Sequence, residues 1–167
     1  MKAVVNGLSL AIGLSLAASG VMAQQPGAQA TKTYTSAADI TALIAKAKGE
    51  RKGDAPIVQE NILRLSPYKD ATLEYRGAVG PAAVHEKEAE YFYVIEGTGT
   101  MVTGGKLTEE KRNGDNLTGT GIEGGSARSI GKGDFILVPE NTAHWFSKID
   151  GTLVLMSMHV PRPTPAK

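Results

Sequence analysis

Three histidines, His85, His144 and His159, and no cysteine make up the whole supply of imidazole and thiol in this 167-residue sequence. Chemistry that needs a soft ligand or a proton carrier near neutral pH must run through those imidazoles. The missing cysteines also exclude disulfides, thiol nucleophiles, zinc fingers and thiolate-held clusters. His85 is followed closely by Glu86, Glu88 and Glu90. The polar stretch Glu86-Lys87-Glu88-Ala89 can turn the chain between antiparallel strands, which would bring His85 and Glu90 to one inner face. His144 follows the turn at Pro139 and opens another apolar run. Two imidazoles and a carboxylate bind zinc in a three-ligand site or iron(II) in the facial arrangement of oxygen-using enzymes, and manganese and nickel accept the same donors. The alternative is a metal-free sheet domain in which the two histidines are hydrogen-bonded core residues. His159 alternates with Leu155 and Ser157, so it faces either the interior near the other two or solvent at a strand end.

Strands are the elements that must position these groups. Short β-branched or apolar runs cover Val58 to Leu65, Thr72 to Arg76, Tyr91 to Ile95, Thr100 to Val102, Ser129 to Ile130, Phe135 to Val138, Trp145 to Ile149 and Thr152 to Val160. Glycine and proline turns separate them, a pattern of sandwiches and barrels. Asp150-Gly151 fits a two-residue hairpin between the last two strands. Asn113 to Gly133 holds seven glycines and reads as a long surface loop. Alternation predicts that half of Tyr91, Phe92, Tyr93 and Phe146 line the interior, and that Trp145 faces outward against a second subunit or an N-terminal helix. Arg64, Arg76 and Lys87 are the cations that could meet an anionic substrate.

Upstream of the strands, Ser36 and Asp39 have capping-box spacing. Ile40, Leu43, Ile44 and Ala47 form one helical stripe, and Gly49 is the expected C-cap. Earlier still, Lys2, the mostly apolar run Leu8 to Ala18 and Val21-Met22-Ala23 form a secretory signal pattern with cleavage after Ala23. The expected product is periplasmic or secreted, with no membrane attachment after cleavage. The divisions are a signal peptide over 1–23, a polar leader and short amphipathic helix over 24–56, the strand domain over 57–160 and an extended tail over 161–167. Lys plus Arg is 18 against 17 Asp plus Glu, a balance that argues against nucleic acid as a partner.

Two motif matches fail on context. Gly119-Thr120-Gly121-Ile122-Glu123-Gly124 matches the dinucleotide fingerprint, but no helix-forming stretch follows it. His85-Glu86 opens like a helical zinc-protease motif, yet the second histidine position is Ala89 and the following residues prefer strand.

A longer pattern does hold. Gly77, five residues, Ala83-Val84-His85, four residues, Glu90, six residues and Gly97 form its first half. Gly133, five residues, Pro139-Glu140-Asn141, two residues, His144, three residues and Lys148 form its second. This resembles the two motifs of the cupin superfamily and implies a small antiparallel, jelly-roll-like β-barrel, all-β apart from the one N-terminal helix. The resemblance implies metal ligands at His85, Glu90 and His144, with Ala83 standing where the family has its first histidine. Asn141 replaces the family's turn glycine, which asparagine tolerates because it enters left-handed backbone readily. Lys148 replaces the closing asparagine. Family resemblance further implies a divalent metal cofactor (iron(II), zinc, manganese or nickel), a small-molecule substrate or ligand, and a homodimer. Two functions follow as expectations: a metal-dependent enzyme of oxygenase, isomerase, lyase or decarboxylase class, with catalytic residues unassigned, or a non-catalytic small-ligand-binding module with a degenerate metal site.

Overall fold

A reciprocal cap starts the first regular element. Ser36 Oγ accepts the Asp39 N–H at 3.1 Å, while Asp39 Oδ2 accepts the Ser36 N–H at 3.0 Å, and α1 (Ala37–Glu50) begins there. The stop differs from expectation. The helix runs through Gly49, and Arg51 caps it in extended backbone with its N–H bonded to the Ala47 carbonyl. Arg51 is held there by its side chain, whose Nε donates to the Ala55 carbonyl at 2.8 Å, so no left-handed glycine is needed. This computed structural model describes residues 30–163, so the signal segment, its cleavage site after Ala23 and the end of the tail lie outside the described residues.

Thirteen strands follow. They are β1 (Ile57–Leu63), β2 (Ala71–Arg76), β3 (Ala82–His85), β4 (Glu88–Glu96), β5 (Thr98–Thr103), β6 (Lys106–Thr108) and β7 (Lys111–Asn113). Then come β8 (Asn116–Gly119), β9 (Gly121–Glu123), β10 (Ser126–Gly131), β11 (Phe135–Val138), β12 (His144–Ile149) and β13 (Leu153–Pro161). A five-stranded sheet has the order β1-β2-β13-β4-β11, a six-stranded sheet β10-β5-β12-β3-β8-β7, and β6 pairs with β9 alone. The two large sheets face one another as an antiparallel barrel that does not close, since no ladder joins their edges among the described residues.

Apolar alternation builds the core between them. Phe92, Val94, Val138, Leu153 and Leu155 from the first sheet meet Met101, Ile130 and Phe146 from the second. Phe92 and Phe146 pack edge to face at 5.2 Å and are the inward half of the four aromatics, while Tyr91 is 40 % exposed on the outside. On the opposite face of the five-stranded sheet, Ala47 and its helical neighbours Ile40, Leu43 and Ile44 cover Ile62, Leu73, Tyr75 and Val154.

Three expectations are corrected. The segment from Asn113 to Gly133 is not a loop but carries β8, β9 and β10. Two of its glycines sit in close contact: a Cβ on Gly119 would press on the Thr108 carbonyl, and one on Gly121 would touch the Trp145 ring. Asp150-Gly151 does not close a hairpin, because β12 and β13 lie in different sheets. It is a crossover turn, with Gly151 at φ 77° and the Asp150 N–H bonded to the Thr98 carbonyl. Trp145 does face outward, but onto Gly121 and the Gly80 carbonyl, which accepts its Nε1–H at 2.9 Å, and not onto α1.

Gly97 joins β4 to β5 at φ 85°, and a Cβ there would run into the Thr152 carbonyl oxygen. Gly97→Ala therefore combines left-handed strain of about 1–2 kcal/mol with about 1–3 kcal/mol of forced displacement. Urea unfolding should show a midpoint well below that of the native chain. A midpoint unchanged within error would contradict this.

Candidate metal centre

The short strand β3 points Ala83 and His85 into the interior. His85 lies directly opposite Asn116 of β8, and its Nδ1–H donates to Asn116 Oδ1 at 2.6 Å. That bond fixes the tautomer and turns Nε2 inward. After His85 the chain does not fold back as a hairpin. It crosses to the other sheet, where β4 begins three residues later, so β3 and β4 face each other without pairing. Clips to the β7–β8 turn hold the crossover. The Glu86 N–H bonds the Asp115 carbonyl, Arg112 grips the Glu86 carboxylate at 2.7 and 2.8 Å, and Lys87 pairs with Asp115 at 2.8 Å. Glu86 is thereby directed outward, and Glu88 pairs with Lys69 at 3.2 Å.

Glu90 is the carboxylate that reaches the interior, and it is 4 % exposed. Its Oε1 accepts the Ser157 hydroxyl at 2.6 Å. Its Oε2 is buried without a hydrogen bond, yet lies 3.1 Å from His144 Nε2 and 3.3 Å from His85 Nε2. Burial works to raise the carboxyl pKa, but the imidazoles of His144 and His85 outweigh it and hold Glu90 well below the usual carboxylate range. Burial likewise works to lower the His85 pKa, and Glu90 and Asn116 together carry it above the ordinary imidazole value.

His144 enters through a strained turn. Asn141 sits at φ 55°, the left-handed conformation expected of this asparagine, and its N–H bonds the His85 carbonyl at 2.7 Å. This ties the start of β12 to the end of β3. The His144 ring rests near Phe92, 5.9 Å between centroids. Across the ladder His144 is in register with Ala83, so the position that carries the family's first histidine offers only a methyl group beside it.

One ligand atom each from His85, Glu90 and His144 lies within 4.8 Å of the others. A divalent ion fits this arrangement because it would satisfy the orphaned Oε2 and meet two converging Nε2 atoms. Lys148 is turned away, paired with Asp150 at 2.7 Å, so it takes no part.

His159 belongs to the same interior. Its Nε2 is 3.3 Å from Glu90 Oε1, and its ring meets that of His85 edge-on at 4.5 Å. The alternation with Leu155 and Ser157 was the signal for that face. Ser157 carried the same signal without suggesting a role, and Asn116, inside the glycine-rich stretch, carried none. A polar pocket of about 250 Å³ opens onto His85, with Lys69, Lys87, Asn113 and Asn116 in its walls. Of the three cations singled out in the sequence, only Lys87 lines it. Arg76 is spent on Glu74 and the face of Phe146, and Arg64 pairs its backbone with Lys32.

The sequence model of the Cupin family matches residues 59–162. Solved structures with similar folds include Fe(II) HppE, at 15% identity and TM-score 0.49 over 66% of this chain and 54% of that one. The chain therefore spans about half the length of that protein. KdgF from Halomonas sp. matches at 21% identity and TM-score 0.45, over 68% of this chain and 87% of that one. The cupin domain of Schizosaccharomyces pombe Cnp3 matches at 12% identity and TM-score 0.48, over 69% and 72%. No curated protein matches the chain.

Proposed function

The chain belongs to the cupin family, and from that premise we propose that it is an exported single-domain protein that holds one divalent metal ion and acts on a small molecule. His85, Glu90 and His144 would be the ligands. The observation that carries this reading is the buried Glu90 Oε2, which has no hydrogen bond but faces two imidazole Nε2 atoms at 3.1 and 3.3 Å. Iron(II), zinc, manganese and nickel all accept two nitrogens and a carboxylate oxygen.

When bound, the ion would supply Lewis acidity to polarise a substrate oxygen or a water. The chain's own residues prepare the place. Asn116 keeps the proton of His85 on Nδ1, and Ser157 occupies Glu90 Oε1 so that Oε2 stays available. Phe92 and Phe146 fill the floor behind His144 and keep water from entering through the core. Substrate would arrive through the pocket beside His85, whose polar walls and volume of about 250 Å³ suit a small hydrophilic molecule.

Metal analysis of untagged protein tests the reading directly, with close to one ion per chain expected. A panel of small acids, sugars and phenolics should then contain a compound that is turned over. Tight capture without turnover would replace the enzyme by the binding module. Absence of stoichiometric metal under every loading condition would end the metal reading itself.

A further inference from the structure

The three histidines of this interior gather around one carboxylate, that of Glu90. His85 Nδ1 bonds Asn116 Oδ1 at 2.6 Å and His144 Nδ1 the Thr142 carbonyl at 3.4 Å, while His159 Nδ1 has Glu88 Oε2 within 3.4 Å but makes no hydrogen bond. His85 and His144 turn Nε2 to Glu90 Oε2 at 3.3 and 3.1 Å, and His159 turns Nε2 to the other carboxylate oxygen, Oε1, at 3.3 Å. An oxygen beside Nδ1 keeps the proton there and leaves the Nε2 lone pair free, the form in which imidazole binds a metal.

Register accounts for how the third one arrives. His159 of β13 lies directly opposite Glu90 of β4, so both side chains leave the same face of the five-stranded sheet. Ala83, by contrast, adds no donor beside His144. His159 Nδ1 is buried without an aligned hydrogen bond, and Glu88 is the acceptor within reach. With its side chain 29 % exposed, against 19 % for His85 and 6 % for His144, His159 has the most freedom of the three to adjust.

We propose that His159 is a third imidazole ligand to the ion held by His85, Glu90 and His144, supplied from the opposite sheet in place of the histidine that position 83 lacks. The inference rests on the metal reading above. It makes the donor set two plus two: His85 and His144 from the six-stranded sheet, Glu90 and His159 from the five-stranded one.

Copper(II) added to metal-stripped protein is a suitable probe, because the nitrogen hyperfine pattern in its electron paramagnetic resonance spectrum counts coordinated imidazoles. The native chain should show three nitrogens, and His159→Ala two, with zinc affinity weaker by at least about tenfold. The volume-conserving His159→Gln carries the same test should the alanine variant fail to fold. Ala83→His introduced into the His159→Ala background should bring the third nitrogen back. Two nitrogens in the native spectrum, with zinc affinity unchanged in His159→Ala and His159→Gln, would overturn the proposal while leaving the three-residue site intact. No copper or zinc bound by the native chain would overturn this proposal together with the metal reading.

Discussion

In excess zinc the native chain should gain about 4 kcal/mol of stability at a thousandfold excess over its dissociation constant, and His144→Ala should gain almost none. The comparison is between unfolding with and without metal for each protein, so the cavity left by the missing ring cancels. His144 is the variant of choice because its ring is the most buried of the site's imidazoles and its Nε2 lies nearest the free Glu90 oxygen, at 3.1 Å. His85→Ala should behave alike, and Lys148→Ala, whose side chain pairs outside with Asp150, should keep the full gain. An equal metal-dependent gain in native and His144→Ala proteins would refute the assignment. The effect also has a definite sign with pH. Metal needs neutral imidazole, and in the metal-free protein Glu90 and Asn116 keep His85 protonated above the ordinary value of 6.5. The metal-dependent gain should therefore shrink as pH falls through that range and grow as pH rises.

Arg76→Leu should cost about 3–5 kcal/mol of folding stability although it touches no candidate ligand. Arg76 and Glu74 both project from β2 into the barrel interior, and Glu74 is only 3 % exposed. The carboxylate takes the Arg76 guanidinium at 2.7 Å and the Gln59 amide at 3.0 Å, while the guanidinium lies 4.4 Å from the centre of the Phe146 ring. Deleting the cation strands a buried negative charge and removes a cation–π contact. Replacing both partners, as in Glu74→Leu with Arg76→Leu, should recover most of the loss, because the desolvation of two charges goes with them. Urea unfolding of the two variants decides it. A single variant that loses less than about 1 kcal/mol would show that water reaches Glu74 and satisfies it.

Much of the site could be read from spacing, for physical reasons that also mark where reading stops. His85, Glu90 and His144 stand at cupin motif positions, and Glu86 and Glu88 fell away once the crossover directed one outward and placed the other against Lys69. Alternation predicted that half of Tyr91, Phe92, Tyr93 and Phe146 face inward, and Phe92 and Phe146 are the pair that does, because a strand's period fixes its face. It could not settle His159, since the period is silent on whether a residue near a strand end still has a partner strand; register with Glu90 decided that. Turn chemistry misled at Asp150-Gly151, where a hairpin and a crossover between sheets use the same left-handed glycine. Glycine misled again between Asn113 and Gly133. A missing side chain marks flexibility in a loop and close approach in a sheet, and only the neighbours Thr108 and Trp145 tell which. Asn116 was hidden for that reason, although its bond to His85 is among the shortest in the centre.

The barrel's two sheets are joined by no ladder among the described residues, yet the proposed donors come from both. Side-chain packing and the connecting crossovers would then keep the two halves from sliding, and packing resists shear far less sharply than a bond of fixed length. An ion shared between β3, β4, β12 and β13 would act as a rivet through both plates at one end. Loading and emptying the centre would change how freely the halves breathe, so occupancy would be felt along whole strands as well as at the atoms that touch the ion.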